Sequence, residues 1–343
     1  MAHSTINKST DYFNTITYTG NGGTNALTGV GFQPDLTWIK ETGATGDHFL
    51  CDVVRGVTKY ILSNASGAEG TNANTLTAFG TDGFTVGSDG WTNNNSDTYV
   101  AWNWKAGGAG SANTAGTINS TVSVNTTAGF SIVKYTGNGT SGATVGHGLG
   151  IAPKIVLIKK TSGSAAWSML NTNIDLNKYL RLDTDAAEVS DALFNNTAPS
   201  STLFTLDSDG QVNGSGNEFI AYCFAEIDGY SKFGSFSGNG DADGPFIYTG
   251  FKPNFVMTKK IGGTADWMIR DNKRDGINVT NKTLQPNSSN AEASSSDYDM
   301  DLLSNGFKLR ANSGHSNSSG QTMIYMAFGQ SLVGSNNVPC TAR

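Results

Sequence analysis

Two carboxylates held a few ångströms apart can share acid and base work on a glycosidic bond, and Glu188, Asp191, Glu218 and Asp301 are the residues here that could supply such a pair. Nothing in their spacing sets any two of them on one face of one element, so no catalytic residue is assigned and the chain is not expected to be an enzyme. Two loops crowd acidic side chains beside glycine, DSDGQVNGSGNE (Asp207–Glu218) and GDADGP (Gly240–Pro245). Calcium sites use oxygen-rich turns of this kind. The same Asp-Gly turn recurs as GTDGF and becomes Asn305-Gly306 further on, an exchange that hairpin geometry alone allows, so no metal is expected. His3, His48, His147 and His315 fall in turns or arms with no ligand spacing between them. Cys51, Cys223 and Cys340 are odd in number and far apart, which reads as reduced thiols rather than a disulfide framework or a zinc site. No Gly-x-Ser-x-Gly elbow opens a helix, and no cofactor is expected.

The glycine-rich stretch FSIVKYTGNGTSGATVGHGLGIAPKIVLIKK (Phe130–Lys160) raises a different chemistry, that of a phosphate-cradling loop. Such a loop opens a helix. Here the residues after Pro153 are Lys154, Ile155, Val156, Leu157 and Ile158, which favour a strand. The motif also occurs three times, as Gly20-Asn21-Gly22, Gly137-Asn138-Gly139 and Gly238-Asn239-Gly240, followed in turn by Pro34, Pro153 and Pro253 and an apolar run ending in lysine. A loop repeated between strands is a structural turn, since Asn and Gly tolerate the positive φ that tight hairpins need. Each copy closes on TYVAWNW, EFIAYCF or MIYMAFG, with Ala101, Ala221 and Ala327 as the shared alanines. The period is roughly 100–120 residues, too long for a solenoid repeat, so each copy is expected to be a whole small domain.

Composition sets the class. The chain has 343 residues with 43 glycines, only 15% charged residues and 10% aromatics, the balance of extended β-structure with many turns and enough apolar material for real cores. A net charge of −6 with no basic stripe argues against nucleic acid as a partner. No apolar run reaches the roughly 18–20 residues of a membrane span. The start, MAHSTINKST, lacks the apolar core of a secretory signal, so synthesis in the cytoplasm is expected.

The resulting fold expectation is all-β, with three tandem antiparallel β-sandwich domains of jelly-roll type. Residues 1–10 read as an N-terminal arm, 11–106 as the first domain, 107–128 as a Gly/Ser/Thr-rich linker, 129–231 as the second domain, 232–333 as the third and 334–343 as a tail. In NEFIAYCFAE, Phe219, Ala221 and Cys223 should share one face and Ile220, Tyr222 and Phe224 the other, both apolar. Asp183–Phe194 is the one stretch expected to make a short turn of helix. Of the tryptophans, Trp167 and Trp267 hold equivalent places a few residues after a lysine pair and read as core, with sugar stacking as the alternative, whereas Trp91, in the polar loop SDGWTNNNSD, is the candidate ligand-facing aromatic.

The quoted residues also carry a resemblance. YTGNGGTNALTGVGFQPDLTWIK, SDTYVAWNWKAGG, AGFSIVKYTGNG and the terminal GSNNVPCTAR resemble repeat-containing virion structural proteins, often called tail-fibre-like, of marine tailed bacteriophages. That resemblance implies a location on the virion and partners among other virion proteins, with a homo-oligomer and a host surface glycan or receptor as further expected contacts. It implies no catalytic residue. Three roles follow from it: a tail-associated fibre, adaptor or host-attachment protein; a capsid decoration or head-fibre protein; and a glycan depolymerase. The arm at residues 1–10 is expected to anchor the chain on a neighbouring subunit while the loop with Trp91 faces outward.

Overall fold

The computed structural model describes residues 4–331 and Val333. The fold is all-β, built from antiparallel strands in sandwiches, with helix limited to single short turns among the described residues. Three main sheets share one strand order. In the first, Phe13–Thr19 lies beside Thr98–Trp104, then Leu36–Glu41, then His48–Asp52. The second repeats this as Phe130–Thr136, Glu218–Phe224, Ile155–Lys160 and Ser168–Asn171, and the third as Ser231–Ser237, Thr322–Ser331, Phe251–Lys260 and Met268–Asp271. A smaller sheet covers the outer face of each: Asn25–Thr28 with Gly83–Val86 and Leu76–Gly80, Ala143–Gly146 with Leu203–Leu206, and Phe246–Tyr248 with Gly306–Leu309 and Met300–Leu303.

Alternation along the central strands explains the layering. Phe219, Ala221 and Cys223 point into the sandwich core of their own unit, and Ile220, Tyr222 and Phe224 point the other way. That second face does not meet solvent or a fourth sheet. It meets the inner faces of the other two main sheets, in one apolar cluster to which all three units contribute. At its centre stand Trp104, Phe224 and Phe328, which hold the same place in the three registers, opposite Leu36, Ile155 and Phe255. Their ring centroids are 6.3, 5.8 and 5.9 Å apart, so each touches the other two. The units are therefore sandwiches on the outside and a three-sided prism within.

Four sequence expectations change. Ala327 is not the match of Ala101 and Ala221. Counting from the buried lysines, Lys40 pairs with Val100, Lys159 with Ile220 and Lys259 with Ile324, so the third place belongs to Tyr325. Residues 107–128 are not a free linker. Ser111–Asn113 and Ser120–Asn125 extend the second main sheet, with Ser120 to Asn125 paired against Tyr135 to Phe130. The Ser/Thr/Val alternation that resembles a linker equally suits an edge strand. The described part of the N-terminal arm is not free for a neighbour: Ile6 is buried in the central cluster, and Gln330 grips the arm through Ser9 N–H and the Asn7 carbonyl. Within Asp183–Phe194 there is no helix, only the short strand Val189–Ser190, because the segment pairs across to Lys178–Tyr179. The tail 334–343, with Cys340, lies outside the described residues, as does His3.

Candidate functional site

The three Gly-Asn-Gly turns are clasped by a side chain that the sequence reading did not single out. Asn93, Asn213 and Asn317 are fully buried, and the Oδ1 of each accepts the amide of the motif's central Asn21, Asn138 or Asn239 at 2.9–3.0 Å. Their Nδ2 groups donate onward to carbonyls of the same loops: Gly23 and Gly87, Thr140 and Asp207, Asp241 and Ala311. The first glycine of each motif has no alternative. A methyl group on Gly20, Gly137 or Gly238 would stand 2.0, 2.6 or 2.3 Å from the carbonyl oxygen of Asn94, Gly214 or Ser318. These amides are engaged within the chain, so the motif is scaffold. The missed signal was an asparagine standing seventy-odd residues after each motif.

The junctions between units hold three buried lysines and two buried ion pairs. Each is made by two backbone hydrogen bonds in the same places. Ala165 and Glu69 amides donate to the Ser66 and Thr161 carbonyls, Ala265 and Glu188 to Asp185 and Ile261, and Gly46 and Glu292 to Ser289 and Thr42, all at 2.8–3.0 Å. The third junction joins the last unit to the first, so the ring closes. A buried lysine sits at each. Lys159 donates to the Ser66, Lys160 and Ala165 carbonyls, Lys259 to Asp185 and Ala265, and Lys40 to Glu41 and Ala44. Burial pushes all three amines down to about 8. The Trp167 indole donates to the Leu62 carbonyl and the Trp267 indole to that of Arg181. His48 takes this place in the first unit, with its ring turned to the Gln285 carbonyl but short of full hydrogen-bond geometry.

Two junctions are completed by a buried ion pair. Asp52 binds Arg55 at 2.5 Å and accepts the Tyr222 hydroxyl of the second unit at 2.8 Å. Asp271 binds Arg274 at 2.6 Å and accepts the Trp102 indole of the first unit at 3.1 Å. Burial would raise the Asp271 carboxyl, but Arg274 and its hydrogen bonds outweigh this and hold it below the usual range. At the remaining junction the matching residues are Asn171 and Ile174, and the residue in the place of Tyr222 and Trp102 is Met326, which has no N–H or O–H to give. Carboxylate and donor are thus both present or both absent, as the cost of a buried unpaired charge requires.

The carboxylates considered for catalysis are not brought together. Glu188 is paired with Lys178 at 2.6 Å, Glu218 with Lys134 at 3.2 Å and Asp301 with Arg310 at 2.7 Å, while Asp191 is exposed on a separate segment. No three acidic, histidine or cysteine side chains among the described residues are arranged to hold a metal ion. Both ring nitrogens of His147 are engaged, with the Ser200 carbonyl and the Leu149 amide. His48, buried between Trp38 and Trp102, accepts the Trp38 indole N–H, and burial holds its pKa well below the usual range. Burial drives the Cys51 and Cys223 thiols up to about 12, so they are inert thiols. Pro34, Pro153 and Pro253 are all buried, but only Pro253 lies inside a strand, opposite Gly329 at a register shift. Trp91 opens the short helical turn Gly90–Asn93 capped by Asp89, and its side chain is 52% exposed, the other described tryptophans being buried.

Taken together, fold and junctions define a closed ring of three antiparallel β-sandwich units in which the buried polar groups join unit to unit. The chain belongs to the family described as Domain of unknown function (DUF7483), whose model matches residues 8–331. No curated protein and no solved structure matches it.

Proposed function

We propose that this chain is a non-enzymatic structural protein of a bacteriophage virion, tail-associated and acting in attachment to the host surface. The observation that carries this is the closed ring: the buried lysines and ion pairs are occupied in holding it shut, and three of the four candidate carboxylates are tied up in separate ion pairs, with Asp191 exposed on a segment of its own. Such a body works by presenting a rigid surface, and its outward turns, including the one with Trp91, are what a partner would meet. The quoted sequence motifs, through their resemblance to virion proteins, supply the setting. Labelled antibody against the chain, imaged on intact particles, tests the reading. Label at the tail is the expected result. Label on the head would replace attachment with decoration of the shell, and particles without label would end the virion reading. Release of reducing ends from host polysaccharide, abolished by Glu218→Gln or Asp301→Asn, would overturn the non-enzymatic part.

A further inference from the structure

The three units share the backbone contacts that close the ring, and one outer sheet sets the third unit apart. In the third unit, strand Phe246–Tyr248 turns both aromatic rings to solvent, Phe246 at 45% and Tyr248 at 62% exposed. The matching places hold Ala26 and Thr28 in the first unit and Thr144 and Gly146 in the second, as the pairing of Leu27, Val145 and Ile247 with Phe84, Phe204 and Phe307 fixes. Residues two apart on a strand share a face. Gly306, opposite Tyr248, is set by the backbone, since a methyl group there would stand 2.1 Å from the Ile247 carbonyl oxygen, as one on Gly83 would stand 2.0 Å from that of Leu27 in the first unit.

Beside Tyr248 lies a concavity of about 330 Å³ lined by Asp228, Ser231, Lys232, Thr249 and Gly250. That volume is in the range of small-ligand sites. The other units close the same space. In the first, Val30 is buried and Gly31 lies against the Thr10 carbonyl, and in the second Gly148 packs under Val122 and Val124 of the added edge strand. Charged groups around the face are largely paired: Lys308 with Asp243 at 2.8 Å, Arg310 with Asp301 at 2.7 Å and Lys232 with Glu226 at 3.6 Å, while Asp228 adds a carboxylate to the concavity.

We infer that this face is a binding site for a neutral oligosaccharide. One pyranose stacks on Tyr248, with its hydroxyls toward Asp228 and Lys232, the Thr249 hydroxyl being committed to the Phe251 carbonyl, and the next sugar reaches Phe246. An aromatic wall suits the C–H face of a sugar, polar groups suit its hydroxyls, and the Asp228 carboxylate disfavours an anionic chain. A protein partner would need a far larger apolar area than one strand and a small concavity supply. This deepens the attachment reading by naming a ligand class, but its test uses purified protein and no particle, so either can fail alone.

The test is native electrophoresis through gels containing dextran, mannan or galactan, with alginate as the anionic comparison, and light scattering on the same samples. At least one neutral polymer should retard the protein. Tyr248→Ala should weaken that retardation at least about tenfold and Phe246→Ala by less, while Ile151→Ala, another exposed apolar side chain, leaves it unchanged. Because both rings are exposed, the melting temperature should hold, which separates lost binding from lost fold. No retardation by any neutral polymer would overturn the inference. So would retardation by alginate alone, retardation that survives Tyr248→Ala, or a dimer that Tyr248→Ala splits, since that last result would make the face a contact between copies.

Discussion

Phe328→Ala tests whether the three units are one folding body. The Phe328 ring lies 5.8 Å from Trp104 and 5.9 Å from Phe224, its counterparts in the other units, and 5.2 Å from Phe13. Removing a buried phenylalanine costs about 3–5 kcal/mol through lost transfer energy and the cavity left behind. Unfolding entropy of about 2.1 cal/mol/K per residue amounts to about 0.7 kcal/mol/K over 343 residues, so the melting temperature should fall by about 4–7 °C. The informative reading is how many transitions move. Scanning calorimetry, with tryptophan fluorescence as a second probe, should show one transition displaced as a whole, because the lost contacts belong to all three units. Tryptophans report from each, Trp102 in the first, Trp167 in the second and Trp267 in the third. Two or three separate transitions, with only the last unit shifted, would refute the shared core and return the chain to independent sandwiches.

Further outcomes follow from the junctions and clasps. Arg274→Ile should cost on the order of 3–5 kcal/mol in urea unfolding by stranding Asp271, whereas Asp271→Asn, Arg274→Ile and Trp102→Met together, the set the second and third units already use, should cost less than the single change; an equal or larger loss would sink the matched-junction account. Lys40, Lys159 and Lys259 sit near 8 when folded against an ordinary 10.5, so between those values the unfolded chain binds more protons and stability should rise with pH. Melting temperatures that fall from pH 8 to pH 9 would contradict that sign; above about pH 9 the buried Cys51 and Cys223 thiols, and then Tyr222 and Tyr230, all held above their ordinary range, oppose the trend. Asn213→Ala should destabilise by more than about 1–3 kcal/mol, since three hydrogen bonds go and buried partners are left unsatisfied; a neutral result would show that the clasp is dispensable. Deleting residues 1–10 should lower the melting temperature, because Ile6 leaves the central core.

The sequence by itself determined the class of structure and its local grammar. Alternating apolar residues in NEFIAYCFAE named both faces of a central strand correctly, and the Gly-Asn-Gly turns, Pro34 and Pro153 marked where connections fall, whereas Pro253 lies inside a strand. Those features are local, fixed by φ preferences and a period of two, so they survive without knowledge of neighbours. What the strands bury against was decided only in three dimensions. The same pattern serves a sandwich core and a core shared by three units, so Ile220, Tyr222 and Phe224 could not reveal which. The arm and the supposed linker looked too polar to be structural, yet Ile6 fills the centre and Ser120–Asn125 completes a sheet edge, because edge pairing needs backbone groups rather than apolar side chains. The third register slipped by two residues without disturbing the alternation, so Ala327 passed for a match until pairing with Val256 placed it. Asn171, Ile174 and Met326 are unremarkable in the chain, and only their meeting across a junction shows why an ion pair is missing there: a buried charge is kept where a donor from the next unit can reach it.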